Sequence, residues 1–64
     1  MDKISLRALR VNANYTQKVA AEKIGVSQKT LFNWEQGNTY PNQQQIEKIC
    51  DVYGVSYDCI NFVV

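Results

Sequence analysis

The chain of 64 residues is long enough for one small domain and too short for two. Its apolar fraction of 45% and charged fraction of 20% are typical of a globular protein and exclude a disordered or collagen-like chain. No apolar run approaches the roughly 18 residues that a membrane span requires, and the first residues lack the apolar segment of a secretory signal. We therefore expect a single domain over residues 1–64 that stays in the cytoplasm and makes no contact with a membrane.

The residue types argue against catalysis and metal binding. The chain has no histidine, which is the commonest general base. Its two cysteines, Cys50 and Cys59, are too few for a four-ligand zinc site and match no metal-binding spacing. We expect both to be reduced thiols in apolar surroundings. The sequence predicts neither an enzyme nor a bound metal, cofactor or small-molecule ligand.

Charge is divided unevenly along the chain. Residues 1–34 contain six Lys and Arg against two Asp and Glu, a net charge of +4. Residues 35–64 contain one Lys against four Asp and Glu, a net charge of −3. An asymmetry of this kind favours a face that binds a polyanion.

Capping residues predict five short helices. A Ser, Thr or Asn stands before each of the last four, where it can accept a hydrogen bond from an unpaired N–H, and a glycine follows three of them. The first helix, near residues 4–12, is amphipathic but poorly capped. The others are predicted over residues 17–24, 28–36, 43–53 and about 57–61.

Periodicity separates a core face from an exposed face on the predicted third helix. A step of about 100° per residue places Leu31 and Trp34 together on one side. The opposite arc carries amides, one lysine and one aromatic residue, whereas an ordinary solvated face favours Glu and Lys. This arc is a candidate reading surface, and its residues are Gln28, Lys29, Phe32, Asn33 and Gln36.

The short connection between the second and third predicted helices makes them cross steeply and nearly touch. Their close approach requires a small side chain, which Ala21 supplies, and the sharp turn requires a residue that accepts a positive φ, which Gly25 supplies. Val26 is placed to fill the corner. A generic helical hairpin is the alternative to a more specific motif here.

From residue 6 to about residue 60, apolar residues, glycines and capping residues occur in a characteristic order and spacing. They are Leu6-Arg7, Arg10, Thr16-Gln17, Ala20, Ile24-Gly25-Val26-Ser27, Thr30-Leu31, Trp34-Glu35, Gly37, Pro41, Ile46, Ile49-Cys50, Tyr53-Gly54-Val55-Ser56 and Asp58. Through the order and spacing of these residues, the chain resembles the phage-repressor (Cro/Xre) type of helix-turn-helix DNA-binding domain. The resemblance implies a compact all-α fold of five helices. It places the helix-turn-helix at helices 2 and 3, about residues 17–36, with the third helix as the recognition helix. It also implies a partly buried ion pair between Arg10 and Glu35.

The resemblance further implies binding to double-stranded DNA through the starts of helices 2 and 3. Gln17 would hold a phosphate at the N-terminus of the second helix. On the third helix, amides and Lys29 suit base edges in the major groove, and Phe32 suits a thymine methyl group. The candidate contact residues are Thr16, Gln17, Ser27, Gln28, Lys29, Phe32, Asn33 and Asn38, and the candidate structural residues are Arg10, Glu35, Ala21 and Gly25.

The loop after the third helix departs from the family pattern. Relatives often carry Lys or Arg there, whereas this chain has Asn38, Thr39 and Tyr40. Backbone N–H groups and the Asn38 side chain are expected to donate to phosphates without a full charge, so fewer counterions would be released. Affinity for a single site should then be modest, which favours binding as two copies.

The end of the chain is the expected surface for a homodimer. Ile60, Phe62 and Val64 alternate as in a strand and continue past the last predicted helix, so residues 57–64 form a candidate dimerisation tail. Two copies related by a two-fold axis would bind a palindromic operator. The alternative is that Ile60 and Phe62 fold back onto the first helix while the final valines fray.

We interpret the chain as a sequence-specific DNA-binding transcriptional regulator of phage, prophage or mobile-element type, and we favour a repressor over an activator. Two alternatives stay open. A protein-interaction adaptor or antirepressor that keeps the fold is favoured by the neutral loop and the acidic second half. An antitoxin would bind DNA and a protein together, but no toxin-wrapping segment is evident in the sequence.

Overall fold

The computed structural model describes residues 3–62, which form four α-helices, one turn of 3-10 helix and two short strands. The α-helices are α1 (Leu6–Asn12), α2 (Gln17–Ile24), α3 (Gln28–Gln36) and α4 (Gln43–Tyr53). Strand β1 (Ile4–Ser5) precedes α1, and the 3-10 turn (Tyr57–Cys59) leads into strand β2 (Ile60–Asn61). Across residues 3–62, no helix has the length and apolar character needed to cross a membrane.

Side-chain caps set where α2, α3 and α4 begin. Thr16, Ser27 and Asn42 each accept a hydrogen bond from the backbone N–H three residues further on. At its other end α2 stops at Gly25, whose φ of 90° lies in the left-handed region that other residues avoid. The predicted bounds of these three helices are confirmed.

The first helix begins at a cap that the sequence analysis missed. The Ser5 hydroxyl accepts a hydrogen bond from the Ala8 N–H at 3.1 Å, so α1 starts at Leu6 rather than near residue 4. Ile4 precedes the cap in extended conformation and belongs to β1. The expectation of a poorly capped helix from residue 4 is therefore wrong, because Ser5 is the N-terminal cap of α1 and does not lie within the helix.

The prediction of a fifth helix over residues 57–61 is not confirmed. Only Tyr57–Cys59 are helical, as a single 3-10 turn that receives no side-chain cap. The chain then straightens into β2, which pairs in parallel with β1 so that Ile60 stands opposite Ile4. Ile60 is only 2% exposed. Its burial and the ladder hydrogen bonds stabilise the extended conformation, which a β-branched residue adopts readily. The fold is mostly helical, with a two-stranded ladder where an all-α domain was expected.

The hydrophobic core lies between the helices and includes Ile60 from the ladder of β1 and β2. α2 packs against both α3 and α4, and its residues Ala20 and Ala21 are almost completely buried, which fits the small side chain expected at Ala21. Val26 packs against the core from the turn as a partly buried residue. The buried apolar side chains are Leu6, Leu9, Ala20, Ala21, Ile24, Leu31, Trp34, Ile49 and Ile60.

The end of the described chain folds back onto the domain. Ile60 belongs to the core and Phe62 packs against it, so the expectation that Ile60 contributes to a dimer surface is wrong. Both residues fold back as in the alternative, but Ile60 pairs with strand β1 and both pack on the core cluster rather than on the first helix alone. Val64, the third member of the alternating pattern, lies outside the described residues. Tyr57 stays exposed, and its ring lies 6.0 Å from that of Phe62.

The two cysteines are free thiols of intermediate exposure. Burial, followed by interaction with the neighbouring acidic groups of Asp51, Cys59 and Glu47, raises the pKa of the Cys50 thiol. A raised pKa keeps this thiol protonated and unreactive at neutral pH. Among residues 3–62, no group of three cysteine or carboxylate side chains is arranged to hold a metal ion.

Candidate nucleic-acid interface

The starts of α2 and α3 enclose an open groove of about 340 Å³. Gln17 lines it from the first turn of α2, and Gln28, Lys29 and Phe32 line it from α3. The three α3 side chains are exposed, and Gln17 is half-buried. The fold therefore gathers four of the predicted DNA-contacting residues, from two helices, on one surface.

Thr16 and Ser27 act as helix caps at the edges of this surface. The Thr16 hydroxyl oxygen accepts from the Val19 N–H at 3.2 Å. The Ser27 hydroxyl oxygen accepts from the Thr30 N–H at 3.1 Å and lies 2.8 Å from the Thr30 hydroxyl. Each cap fixes the first turn of its helix, and the N-terminal end of a helix favours an anion such as phosphate.

Asn33 and Asn38 lie together at the far end of α3. The Asn38 side-chain Nδ2 donates to Asn33 Oδ1 at 3.4 Å. The backbone N–H groups of Asn38 and Thr39 donate to the Asn33 carbonyl at 2.9 and 3.5 Å. Backbone N–H groups of this loop were expected to contact phosphates; those of Asn38 and Thr39 instead satisfy a carbonyl near the end of α3. The Asn38 side chain remains exposed as a candidate contact.

The ion pair implied by the resemblance is present and joins α1 to α3. Arg10 Nε donates to Glu35 Oε2 at 2.8 Å, and Arg10 Nη2 donates to Glu35 Oε1 at 3.3 Å. The Glu35 side chain is 1% exposed and that of Arg10 is 14% exposed. Arg10 also donates from Nη1 to the Tyr15 carbonyl at 3.1 Å. The charge of Arg10 is therefore compensated by Glu35 inside the fold and does not add to the positive charge of the exposed surface.

Gln17 makes a contact that the sequence analysis missed. Its side-chain Nε2 donates to Glu35 Oε1 at 3.2 Å, so one buried carboxylate accepts hydrogen bonds from α1 and from α2 while belonging to α3. The second N–H of the Gln17 amide still has the capacity to donate to a phosphate. Helical periodicity gave no signal for this bond, because it joins residues 18 apart on different helices.

Comparison with known proteins assigns most of the chain, including α2 and α3, to a known family. A helix-turn-helix family model matches residues 6–58. The chain is 38% identical over 53 residues to the HTH-type transcriptional regulator ImmR of Bacillus subtilis (strain 168), covering 83% of this chain and 42% of ImmR. It is 36% identical over 50 residues to the cryptic phage CTXphi transcriptional repressor RstR of Vibrio cholerae, covering 78% of this chain and 45% of RstR.

A third relative is the HTH-type transcriptional activator BcrR of Enterococcus faecalis, 36% identical over 53 residues, covering 83% of this chain and 26% of BcrR. The chain thus spans between 26% and 45% of the length of these relatives. The comparison with solved structures finds no match. The family match extends over most of the chain, including α2, the turn and α3, and the chain belongs to the helix-turn-helix family of the phage-repressor (Cro/Xre) type.

Proposed function

We propose that this chain is the sequence-specific, double-stranded DNA-binding part of a transcriptional regulator and that it reads the major groove with α3. The observation that carries the proposal is the exposed groove in which polar side chains from the starts of α2 and α3 meet around Phe32. The three relatives support it because each is named as a transcriptional regulator, activator or repressor. RstR supports a phage or mobile-element origin. We favour repression, since a domain seated on a promoter blocks it without a further contact.

The polar side chains of α3 are assigned to base readout. An amide such as that of Gln28 or Asn33 pairs with adenine N6 and N7, and Lys29 suits guanine O6 and N7. Gln28 and Lys29 are exposed at the first turn of α3. Asn33 Oδ1 accepts a long hydrogen bond from Asn38, which leaves the Asn33 amide N–H groups for a base edge.

The caps and the start of α2 are assigned to the phosphate backbone. Such contacts position the protein on the duplex and carry no sequence information of their own. Gln17 suits this role because its bond to Glu35 holds the amide in place at the N-terminus of α2. Thr16, Ser27 and Asn38, which are exposed, are the further candidates for phosphate contacts.

We also propose that two copies bind a palindromic operator as a homodimer. One small domain recognises about one half-site, which is too little to select a site in a genome. Two copies related by a two-fold axis would place their α3 helices about 34–36 Å apart. With Ile60 in the core, the interface is assigned to Tyr57, whose side chain is 56% exposed and packs on Phe62.

Selection from a pool of random duplexes tests the proposed function. The expected result is a short enriched sequence, repeated in inverted orientation with half-site centres about 10 base pairs apart. Enrichment of a single half-site would overturn the dimer while leaving base reading intact. A folded protein that enriches no sequence would overturn DNA reading and favour the adaptor or antirepressor interpretation instead.

A further inference from the structure

Arg7, in the first turn of α1, carries a positive charge that the described part of the chain does not compensate. Its side chain is exposed, and within residues 3–62 it takes part in no ion pair, in contrast to Arg10. Arg7 lines a cavity of about 210 Å³ together with Phe62, the last described residue. An unpaired cation therefore lies beside an aromatic ring on this side of the domain.

Two unpaired carboxylates lie along α4. Glu47 and Asp51, four residues apart on this helix, line the groove of about 410 Å³ that also contains Tyr57. Both carboxylates are exposed, and neither pairs with a cation of residues 3–62, including Lys48 of the same helix. Because like charges at this spacing repel each other, a cation from outside the chain would stabilise them.

Two aromatic rings connect the positive and the negative region. The rings of Tyr57 and Phe62 are 6.0 Å apart. Tyr57 lines the groove of Glu47 and Asp51, and Phe62 lines the cavity of Arg7. These five residues form a continuous surface, the charged strip, with Arg7 at its positive end, the rings in its middle and the carboxylates at its negative end.

A strip with opposite charges at its two ends is complementary to a second copy of itself. In a two-fold dimer every contact occurs twice, because a residue i that meets residue j of the other copy is itself met by no other residue than j. A two-fold axis through the rings places the positive end of each copy on the negative end of the other. DNA would be repelled by the carboxylates, and a uniformly basic or acidic protein would match only one of the two ends.

We propose that the charged strip is the contact surface of a two-fold homodimer, in which Arg7 pairs with Glu47 and Asp51 of the partner subunit. This inference rests on the homodimer of the proposed function and names the charges that hold it together. The rings cover each other at the centre of the contact, and the charges at its rim fix the relative orientation of the two copies. Because salt screens exposed charges, self-association should weaken as the ionic strength rises.

Complementary charge reversal tests the pairing. Arg7→Glu makes both ends of the strip negative, and the double variant Glu47→Lys, Asp51→Lys makes both ends positive. These positions are exposed, so each variant should fold, while its self-association should weaken about tenfold or more because like charges meet at both ends. An equimolar mixture of the two variants should dimerise about as tightly as the wild type, since every pair in the mixed dimer again joins opposite charges.

Sedimentation equilibrium measures the variants apart and mixed, and circular dichroism checks that each is folded. Lys18→Glu, at an exposed lysine of α2 outside the strip, makes a matched charge change and should associate as the wild type does. Variants that dimerise alone, a mixture that stays monomeric, or a mixture that forms assemblies larger than a dimer would overturn the proposal. A wild type that is monomeric throughout would overturn it together with the homodimer. Base reading by α3 fails separately, if the wild type shows no sequence preference.

Discussion

At the scale of single residues, Glu35 is the point where three helices meet. Its carboxylate accepts hydrogen bonds from Arg10 and Gln17 while almost completely removed from solvent. A buried charge is stable only while its partners are in place. Because Gln17 also lines the candidate DNA surface, this bond connects the interior of the domain to the phosphate contact proposed at α2.

Removal of one partner of this ion pair should be more damaging than removal of both. Arg10→Ala leaves Glu35 buried without its charge partner, and we expect a loss of about 3 kcal/mol in the free energy of unfolding. The double variant Arg10→Met with Glu35→Met removes both charges and should lose much less. Urea denaturation monitored by circular dichroism measures both. Equal losses would show that the charge left unpaired is not the cause.

Tyr53 provides a second residue-scale test, because its hydroxyl is buried without a hydrogen-bond partner among residues 3–62. Tyr53→Phe removes this unsatisfied group and should raise the free energy of unfolding by about 1 kcal/mol. Tyr40→Phe, at an exposed tyrosine, is the matched control and should change nothing. A loss of stability in Tyr53→Phe would mean that the hydroxyl is satisfied in solution.

The same residue predicts a pH dependence at alkaline pH. Burial first, and the Glu35 charge second, raise the pKa of Tyr53 to about 12, from 10.0 for an ordinary tyrosine. The unfolded chain therefore loses this proton at lower pH than the folded one, and the folded state is progressively destabilised as the pH rises from about 10 to about 12. The stability advantage of Tyr53→Phe over the wild type should widen in this interval. A constant difference between pH 9 and pH 11.5 would contradict the raised pKa.

At the scale of elements, the turn between α2 and α3 fixes the orientation of α3, the proposed recognition helix, relative to α2. Gly25 ends α2 with a positive φ, and a Cβ placed there would have no heavy atom within 4 Å. Gly25→Ala should therefore cost only the backbone strain, about 1–2 kcal/mol. Gly25→Asn should cost less, because asparagine tolerates the left-handed region. Thermal unfolding of both variants tests this, and a larger loss in Gly25→Asn than in Gly25→Ala would contradict the backbone explanation.

Sequence patterns were sufficient for α2, α3 and α4 because each has a cap before it and a glycine after it, and both signals are local. They failed at the two ends of the domain. The strand-like alternation of Ile60, Phe62 and Val64 was visible in the sequence, but it did not indicate a partner, because Ile4 and Ile60 of the ladder are 56 residues apart. Only tertiary packing decides between helix and strand there.

The candidate site, like the fold, could be predicted from the sequence only in part. Periodicity alone predicted the outer arc of α3, since Leu31 and Trp34 had to face the core; Gln28, Lys29, Phe32 and Gln36 are exposed as expected, whereas Asn33 is half-buried. The bond from Gln17 to Glu35 and the use of the Asn38 and Thr39 N–H groups within their own loop depend on how separate segments meet. No spacing along the chain encodes such contacts.

At the scale of the whole molecule, positive and negative residues concentrate in different halves of the chain. Residues 1–34 carry a net charge of +4, whereas Glu47 and Asp51 of α4 line a groove of about 410 Å³ together with Tyr57. Carboxylates disfavour DNA at this groove. An aromatic ring beside these carboxylates suits a protein contact, and this supports the proposal that Tyr57 lies in a dimer interface.

Replacement of Tyr57 should separate dimerisation from folding. Tyr57→Asp places a charge at an exposed position, so the domain should stay folded, while self-association should weaken at least tenfold. Tyr40→Asp, at a tyrosine that is 59% exposed in the loop before α4, should associate as the wild type does. Sedimentation equilibrium at about 10–100 μM measures both. A wild type that is monomeric both free and on DNA, with one copy per site, would contradict the dimer.

The central claim is that the side chains of α3 read the bases. The most direct measurement compares, at fixed salt concentration, binding of the selected duplex and of a scrambled duplex by the wild type and by the triple variant Gln28→Ala, Lys29→Ala, Asn33→Ala. We expect the triple variant to lose most of the preference for the selected duplex, since each base contact contributes about 1–3 kcal/mol of discrimination. Gln17→Ala, which alters a proposed phosphate contact, should weaken binding to both duplexes alike. A folded triple variant that keeps the full preference would contradict the assignment of α3 as the recognition helix.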